Sequence, residues 1–589
     1  MKRTAVHIVP ILVLLGIVTA SAGSAAAGGP VPRLQKKSLK TVTADLRSEI
    51  PVLMRKAGIP GLQIAIVREG KVVWQQSFGV RNAKTGVPVT DETLFEAASL
   101  TKPFFAYAVM KLVDEGTIDL DNPLHSYFTR EEIEGGLGHS LDKPGFKRDW
   151  FEKVTGRHVL SHSGGFPHGE RGDIFPLFFE PGTKWKYSAD GYEFLQMAVE
   201  KLKGEKLEAI MQKYVLDPLG MKRSGMVWRP AFEDVIANGH SVFSAPRGIR
   251  TYAVASSAAS LYTTAGEYAR FVCAVLSGEG LKSATSKEML RSIIDMKEDK
   301  SLGWSLGFGL QHDRNGTAFW QWGDYGIFRN YVIGYPKKKT AVVYLTNSFN
   351  GLSICGELVR RSVGGQALGN TELNYRPYDS PFYVLLREAK QGGLERARAI
   401  LPELRKKHSD VLSWETLAGI AGLLNDEGLG DAAFPILEYI AQENPGSGRG
   451  AYDLAQACLL QGRFEQAKAH YLEAEKAEKD KVDPKDIKWD LDYLQAAAQP
   501  VPLDEEYMQK LAGEYEARQI SLKEGRLYYN RVGGSAPEPR PLLALSKDTF
   551  FIQGTVWFRF QVIFDDEGRP VKLVGSYNDG RRDETKRTR

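Results

Sequence analysis

Cysteine is scarce. Cys273, Cys355 and Cys458 are the only three among 589 residues, they show no C-x-x-C spacing and they cannot all pair within one chain, so a disulfide framework is excluded. Neither sign of charge dominates: 77 Lys and Arg against 72 Asp and Glu give +5. No basic run interleaved with aromatics lies inside the body of the chain, which argues against a nucleic-acid partner. Beyond the amino-terminal segment no stretch reaches the ~18 apolar residues of a membrane helix, so the mature chain is expected to have no membrane span. G-x-S-x-G, G-x-G-x-x-G and a Walker loop are also missing, which excludes a nucleophile elbow and leaves no cofactor implied.

The composition present is ordinary for a globular protein, 43% hydrophobic and 25% charged with a mean hydropathy of −0.29. At ~150 residues per domain, the length predicts three or four domains. Residues 1–27 read as an export signal: Lys2 and Arg3, then about 15 apolar residues from Ala5, then Ala20-Ser21-Ala22 or Ala25-Ala26-Ala27 as cleavage sites. A periplasmic or secreted location is thus expected, with 75 basic against 72 acidic residues remaining once Lys2 and Arg3 are removed.

Residues 38–365 open with a helix and two strands, at 62–67 and 72–78, followed by a helix from Ser99 to Glu115 that Gly116 ends. Strands at 306–310, 318–323, 331–335 and 340–347 close the segment, so one antiparallel sheet built from both ends, with helices between, is expected in an α/β (α+β) domain. Residues 380–497 are all helical. Gly428 and Gly462, Ala433 and Ala467, Leu437 and Tyr471, and Ala421 and Ala455 are each 34 apart, the tetratricopeptide period, and such stacked helices are candidates for holding a protein partner. Past the Pro500-Val501-Pro502 linker, residues 503–580 read as a small antiparallel β-barrel or meander, and 581–589 as a disordered tail.

His158 and His162 lie four apart, with His168 and Glu170 close behind. A metal pair on one helix face is one reading. The plainer one, preferred because H-E-x-x-H is absent, has His158 ending a helix and His162 ordering the glycine-rich loop through Pro167, so no metal site is expected.

Ser99-Leu100-Thr101-Lys102 places an amine one helical turn from a hydroxyl, at the start of a strongly apolar helix. Burial lowers a lysine pKa, which would let Lys102 take the proton from Ser99. Without further context the same four residues read as a helix cap and a snorkelling lysine. Ser140 and Lys143 share the spacing but lie in a loop, between Gly138 and Pro144.

Context decides between these readings. Phe95 through Lys102, Leu112-Val113-Asp114-Glu115-Gly116, Leu120-Asp121-Asn122-Pro123-Leu124, His158 through Gly165, Glu180-Pro181-Gly182-Thr183, Tyr187-Ser188 and Gly191-Tyr192 occur in one order. The set resembles the serine β-lactamase and penicillin-binding-protein-like hydrolase superfamily, in its class C and esterase-like branch. The resemblance implies Ser99 as acylated nucleophile, Lys102 as base, and Tyr187 as the phenol that passes the proton to the leaving group. It assigns the oxyanion hole to the backbone N–H groups of Ser99 and Asp324. A tyrosine beside a lysine cation is expected to have a lowered pKa.

Two departures bear on substrate. The second motif, commonly Tyr-x-Asn, is here Tyr187-Ser188-Ala189, and the third, usually Lys-Thr-Gly, falls at Gln321-Trp322-Gly323. The literal Tyr528-Tyr529-Asn530 and Lys84-Thr85-Gly86 are out of place and are set aside. Gln321, Trp322 and Gly323 then line the substrate site without a cation for a carboxylate, unless Arg329 swings in. The expectation is an exported serine hydrolase that acylates Ser99 with small-molecule or peptide acyl groups, esterase-like. A D-Ala-D-Ala carboxypeptidase or β-lactamase is the rival enzyme, and a catalytically silent scaffold using its helical repeats is the rival of another class.

Overall fold

The computed structural model describes residues 32–138, 140–169, 175–531 and 539–588; the expected export signal and Glu170 lie outside them. The chain divides into two compact units, one ending at Ser380 and the other beginning at Pro381.

The first unit is built on an eight-stranded antiparallel sheet. Its strands run in the order Lys71–Gly79, Gly61–Arg68, Thr340–Thr346, Arg329–Tyr335, Gly316–Asp324, Gly309–Asp313, Leu302–Trp304 and Ile294–Asp295. Gly61–Arg68 pairs on one side with the strand next to it in sequence and on the other with one from the far end of the unit, Leu62 opposite Thr346. Its side chains alternate between two cores, Leu62, Ile64 and Ile66 on one face and Ala65 and Val67 on the other, so it is buried from Gly61 to Val67. The first core includes the helices Leu39–Ala57 and Cys355–Ser362; the second includes Thr101–Asp114 and Ala265–Ser277. The strand expected over 306–310 begins only at Gly309, because Gly307, at φ +105°, turns the chain between the strands Leu302–Trp304 and Gly309–Asp313.

Thr101–Asp114 is apolar on nearly all sides, with every residue from Thr101 to Met110 buried. A helix of that composition belongs inside a core, and it takes Lys102 there with it. A short 3₁₀ turn, Ala98–Leu100, precedes it.

The second unit begins with helices, among them the antiparallel pairs Trp414–Asp426 with Gly430–Glu443 and Gly448–Leu460 with Phe464–Lys476. Six of the residues in the 34-residue matches are interior positions of these pairs, Ala421, Ala433, Leu437, Ala455, Ala467 and Tyr471 all being buried, while Gly428 and Gly462 are exposed in the turns at φ +74° and +70°. An eight-stranded antiparallel sheet comes next, its strands in sequential order from Gly513–Tyr515 to Arg582–Lys586. The N–H of Thr588 donates to Glu514 O at 2.7 Å, so the last strand returns to the first and the barrel is nearly closed. Residues 581–588 are therefore not the free tail expected: Arg582–Lys586 pairs with Pro570–Tyr577, its alternate residues half-buried, because it is the strand that completes the barrel. The helix Pro484–Ala498 packs on the barrel through Trp489 Nε1, which donates to Val556 O at 2.6 Å.

Candidate active site

Ala98 holds a left-handed φ of +51°, an uncommon conformation for a residue with a Cβ, immediately before Ser99. Ser99 then sits in the first helical turn, where a backbone N–H has no carbonyl behind it within the helix. Lys102, 1% exposed, donates from Nζ to Ser99 Oγ at 3.2 Å and to Ala258 O at 2.9 Å. Burial pulls its pKa down to about 7, against the opposing pull of Glu193 and Asp190.

Tyr187 closes the third side. Its hydroxyl is hydrogen-bonded with Ser99 and accepts from Gln321 Nε2 at 3.0 Å. The expected lowering of its pKa is not found: burial pushes the phenol well above its ordinary value, and the two hydrogen bonds only partly offset that. Lys102 Nζ lies over the ring, 4.8 Å from its centroid.

Gln321 is fully buried. Its Nε2 also donates to Ser99 O at 3.2 Å, so both amide hydrogens are spent on the Ser99 backbone and on the phenol. Through Nε2 it positions those two groups, while its buried Oε1 has no hydrogen-bond partner among the described residues. Trp322 lays its ring 4.5 Å from that of Tyr187. Gly323 is required by close approach, since a Cβ there would stand 2.2 Å from Ala97 O.

The strand Gly316–Asp324 pairs Gly323 with Asn330 and Asp324 with Arg329, and Tyr325 N–H donates to Phe328 O. Hydrogen-bonded and non-hydrogen-bonded pairs alternate in an antiparallel ladder, so the N–H of Asp324 points away from its partner strand. The Ala97–Ser99 backbone lies close to this end of the strand, against Gln321 and Gly323.

Arg329 does not swing. Its Nε lies 3.1 Å from Asp324 Oδ2, Nη1 donates to Phe349 O at 2.6 Å, and the guanidinium stacks 3.8 Å from the Phe349 ring centroid. Tyr375 OH holds the same Asp324 carboxylate at 2.6 Å.

His158 and His162 do not share a helix face. His158 forms a capping box with Thr155 at the start of the helix Gly156–Leu160, and His162 lies past its end at φ +55°. His168 Nδ1 accepts from Ala189 N at 3.0 Å. Ser140 and Lys143 occupy an exposed turn, Lys84-Thr85-Gly86 another, and Tyr528 to Asn530 fall in the strand Arg526–Arg531 of the second unit. The carbonyl of Ala258 and the charges of Asp190 and Glu193 are parts of the Lys102 environment that sequence reasoning missed. A backbone acceptor distant in the chain leaves no motif, although the first helical turn after Tyr187 was a readable place to look for acids.

Comparison with known proteins bears on this arrangement. A model of the beta-lactamase family matches residues 46–354, more than half of the chain. The chain belongs to the beta-lactamase family. Within this family of serine hydrolases, it is 24% identical over 324 residues to esterase EstB of Burkholderia gladioli, covering 46% of this chain and 79% of that protein. It is 22% identical over 316 residues to penicillin-binding protein 4* of Bacillus subtilis, covering 47% and 66%. Among solved structures, the octameric penicillin-binding protein homologue from Pyrococcus abyssi aligns over 92% of this chain and 99% of that one, at 19% identity and a TM-score of 0.46. A tetratricopeptide repeat model matches residues 424–485 of this beta-lactamase-family chain.

Proposed function

We propose that the chain is an exported serine hydrolase that works through an acyl-enzyme on Ser99, with neutral acyl compounds, esters foremost, as substrates. The observation that carries this reading is the 3.2 Å approach of Lys102 Nζ to Ser99 Oγ, with the lysine pKa at about 7. A neutral Lys102 accepts the Ser99 proton as Oγ bonds to the carbonyl carbon. The N–H groups of Ser99 and Asp324 receive the oxyanion. As the intermediate collapses, Tyr187 gives its proton to the leaving group and is reprotonated from Lys102. Water then enters by the reverse relay and releases the acid.

Substrate class depends on how the third motif is held. Gln321 is uncharged and committed to Ser99 and Tyr187, and Arg329 is held by Asp324 and Phe349. A substrate carboxylate meets Trp322 and Gly323 there instead of a cation, which favours neutral acyl groups of the kind an esterase handles. The carboxypeptidase or β-lactamase reading keeps the same serine chemistry but needs a cation from elsewhere. Protein binding at the tetratricopeptide-like helices is compatible with either.

The test is hydrolysis of p-nitrophenyl butyrate beside a chromogenic cephalosporin, by the mature protein and by Ser99→Ala. Ester turnover lost in Ser99→Ala, with the cephalosporin untouched, supports the proposal. Efficient cephalosporin turnover overturns the substrate class, and ester turnover that survives Ser99→Ala overturns the nucleophile.

A further inference from the structure

His162 holds the backbone on both sides of Tyr187. Its carbonyl accepts from Lys186 N at 2.9 Å, and its ring Nδ1 accepts from Ser188 N at 3.1 Å. Its ring lies 4.2 Å from the Tyr187 ring, 5.0 Å from Trp304 and 5.1 Å from Tyr192. The two N–H groups that flank the phenol therefore end on one residue, and the ring of that residue packs on the phenol itself.

The chemistry of the imidazole suits this use. An Nδ1 that accepts a hydrogen bond fixes the tautomer with its proton on Nε2. His162 is 2% exposed, and its Nε2 has no hydrogen-bond partner among the described residues. Burial, with Lys102 and His168 nearby, holds its pKa well below the ordinary histidine value. The ring thus stays neutral while Lys102 titrates, and its acceptor is not lost to protonation. The backbone at φ +55° is what lets one residue reach both amides, and asparagine is among the few non-glycine residues that tolerate that conformation.

We infer that His162 is the positioning residue for Tyr187, a clamp that fixes the phenol between Ser99 and the leaving group without touching substrate. The inference rests on the role proposed above for Tyr187. A displacement of about 1 Å at a reacting group costs roughly 10²-fold in rate, which sets the scale of the expected effect.

The experiment compares His162→Asn, whose Oδ1 takes the place of Nδ1, with His162→Phe, which keeps a ring but no acceptor. Two readouts are taken: amide hydrogen exchange over residues 186–188, which reports the clamp without any chemistry, and the rate at which a fluorophosphonate labels Ser99, with ester kcat and KM. The expected result is near-native exchange and labelling in His162→Asn. In His162→Phe, fast exchange at Ser188 should accompany a roughly 10²-fold fall in labelling and kcat with little change in KM. In a Tyr187→Phe background, His162→Phe should cost no more than about twofold further, because the two residues act as a unit. Native exchange in His162→Phe, equal losses in both variants, or a full further loss in the Tyr187→Phe background would each overturn the inference. Full activity of Tyr187→Phe alone overturns the role of Tyr187 instead, and the exchange data still decide whether the clamp exists.

Discussion

Lys102 stands over the ring face of Tyr187, 4.8 Å from its centroid, while the phenolic oxygen is turned to Ser99 and Gln321. The ring face stabilises an ammonium. Burial separates the two groups: the lysine is brought down to about 7 and the phenol is pushed up. In the mechanism proposed above, groups whose pKa values are driven apart in this way divide the work, Lys102 as base and Tyr187 as proton donor.

Ester kcat/KM should therefore rise with pH through about 7 to a plateau, following the neutral fraction of Lys102 in the free enzyme. A pH profile from 5 to 9 checks this. A rate that is flat across that range would remove Lys102 as the base.

Lys102→Met should reduce acylation of Ser99 by about 10³-fold, within the range for loss of a general base. Stability should hold or rise, because the ammonium is buried with only the Ser99 and Ala258 oxygens bonded to it. Between about pH 7 and the ordinary lysine value the unfolded chain binds the extra proton, so native Lys102 penalises folding most at low pH, and the penalty fades as pH rises. Thermal melts at pH 6 and pH 9 should show the Met variant gaining more at pH 6.

Gly323→Ala should lower both kcat and Tm. The added methyl would meet Ala97 O at 2.2 Å, and backbone cannot turn aside as a side chain can. Overpacking of this kind costs typically ~1–3 kcal/mol. The readout is kcat for the ester beside a calorimetric melt; a variant with native kcat would show that the edge beside Ser99 tolerates displacement.

In the helical repeats, Asp490 is buried against Tyr452 OH at 2.5 Å and Gln456, and burial raises its pKa to about 7. Between the ordinary aspartate value and 7 the native state binds the extra proton, so stability should fall as pH rises across that window. Asp490→Asn should raise Tm at pH 8 and change it little at pH 5. Equal shifts at both pH values would remove the titration from the explanation.

Much of this molecule was legible in the sequence, for identifiable reasons. Ser99 and Lys102 are three apart, across a 3₁₀ turn and the first turn of the helix that continues it, so local geometry alone brings them together. Matching the third motif through its downstream neighbours found Gln321, although uncharged, because Gly323 and Phe328 keep their places around it. The 34-residue spacing named the repeats because small interior residues such as Ala421 and Ala455 recur where helices touch. The features that stayed hidden depend on tertiary direction. Arg329 looked mobile until Asp324 and Phe349 were seen to hold it, and the phenol's pKa could not be read without knowing how deeply Tyr187 is buried. The last strand was missed because its polar alternation gains meaning only beside the edge it pairs with.

The pairing of Leu62 with Thr346 also orders events in time. The hairpin of Gly61–Arg68 and Lys71–Gly79 can form as soon as it is made, yet one edge of it must wait for a strand from the other end of the unit. Closing so long a loop makes the central pairing a late step, and the waiting edge is an open template for another chain meanwhile. For this sheet, the interval of greatest exposure to misassociation is set by how long the segment between the two strands takes to arrive.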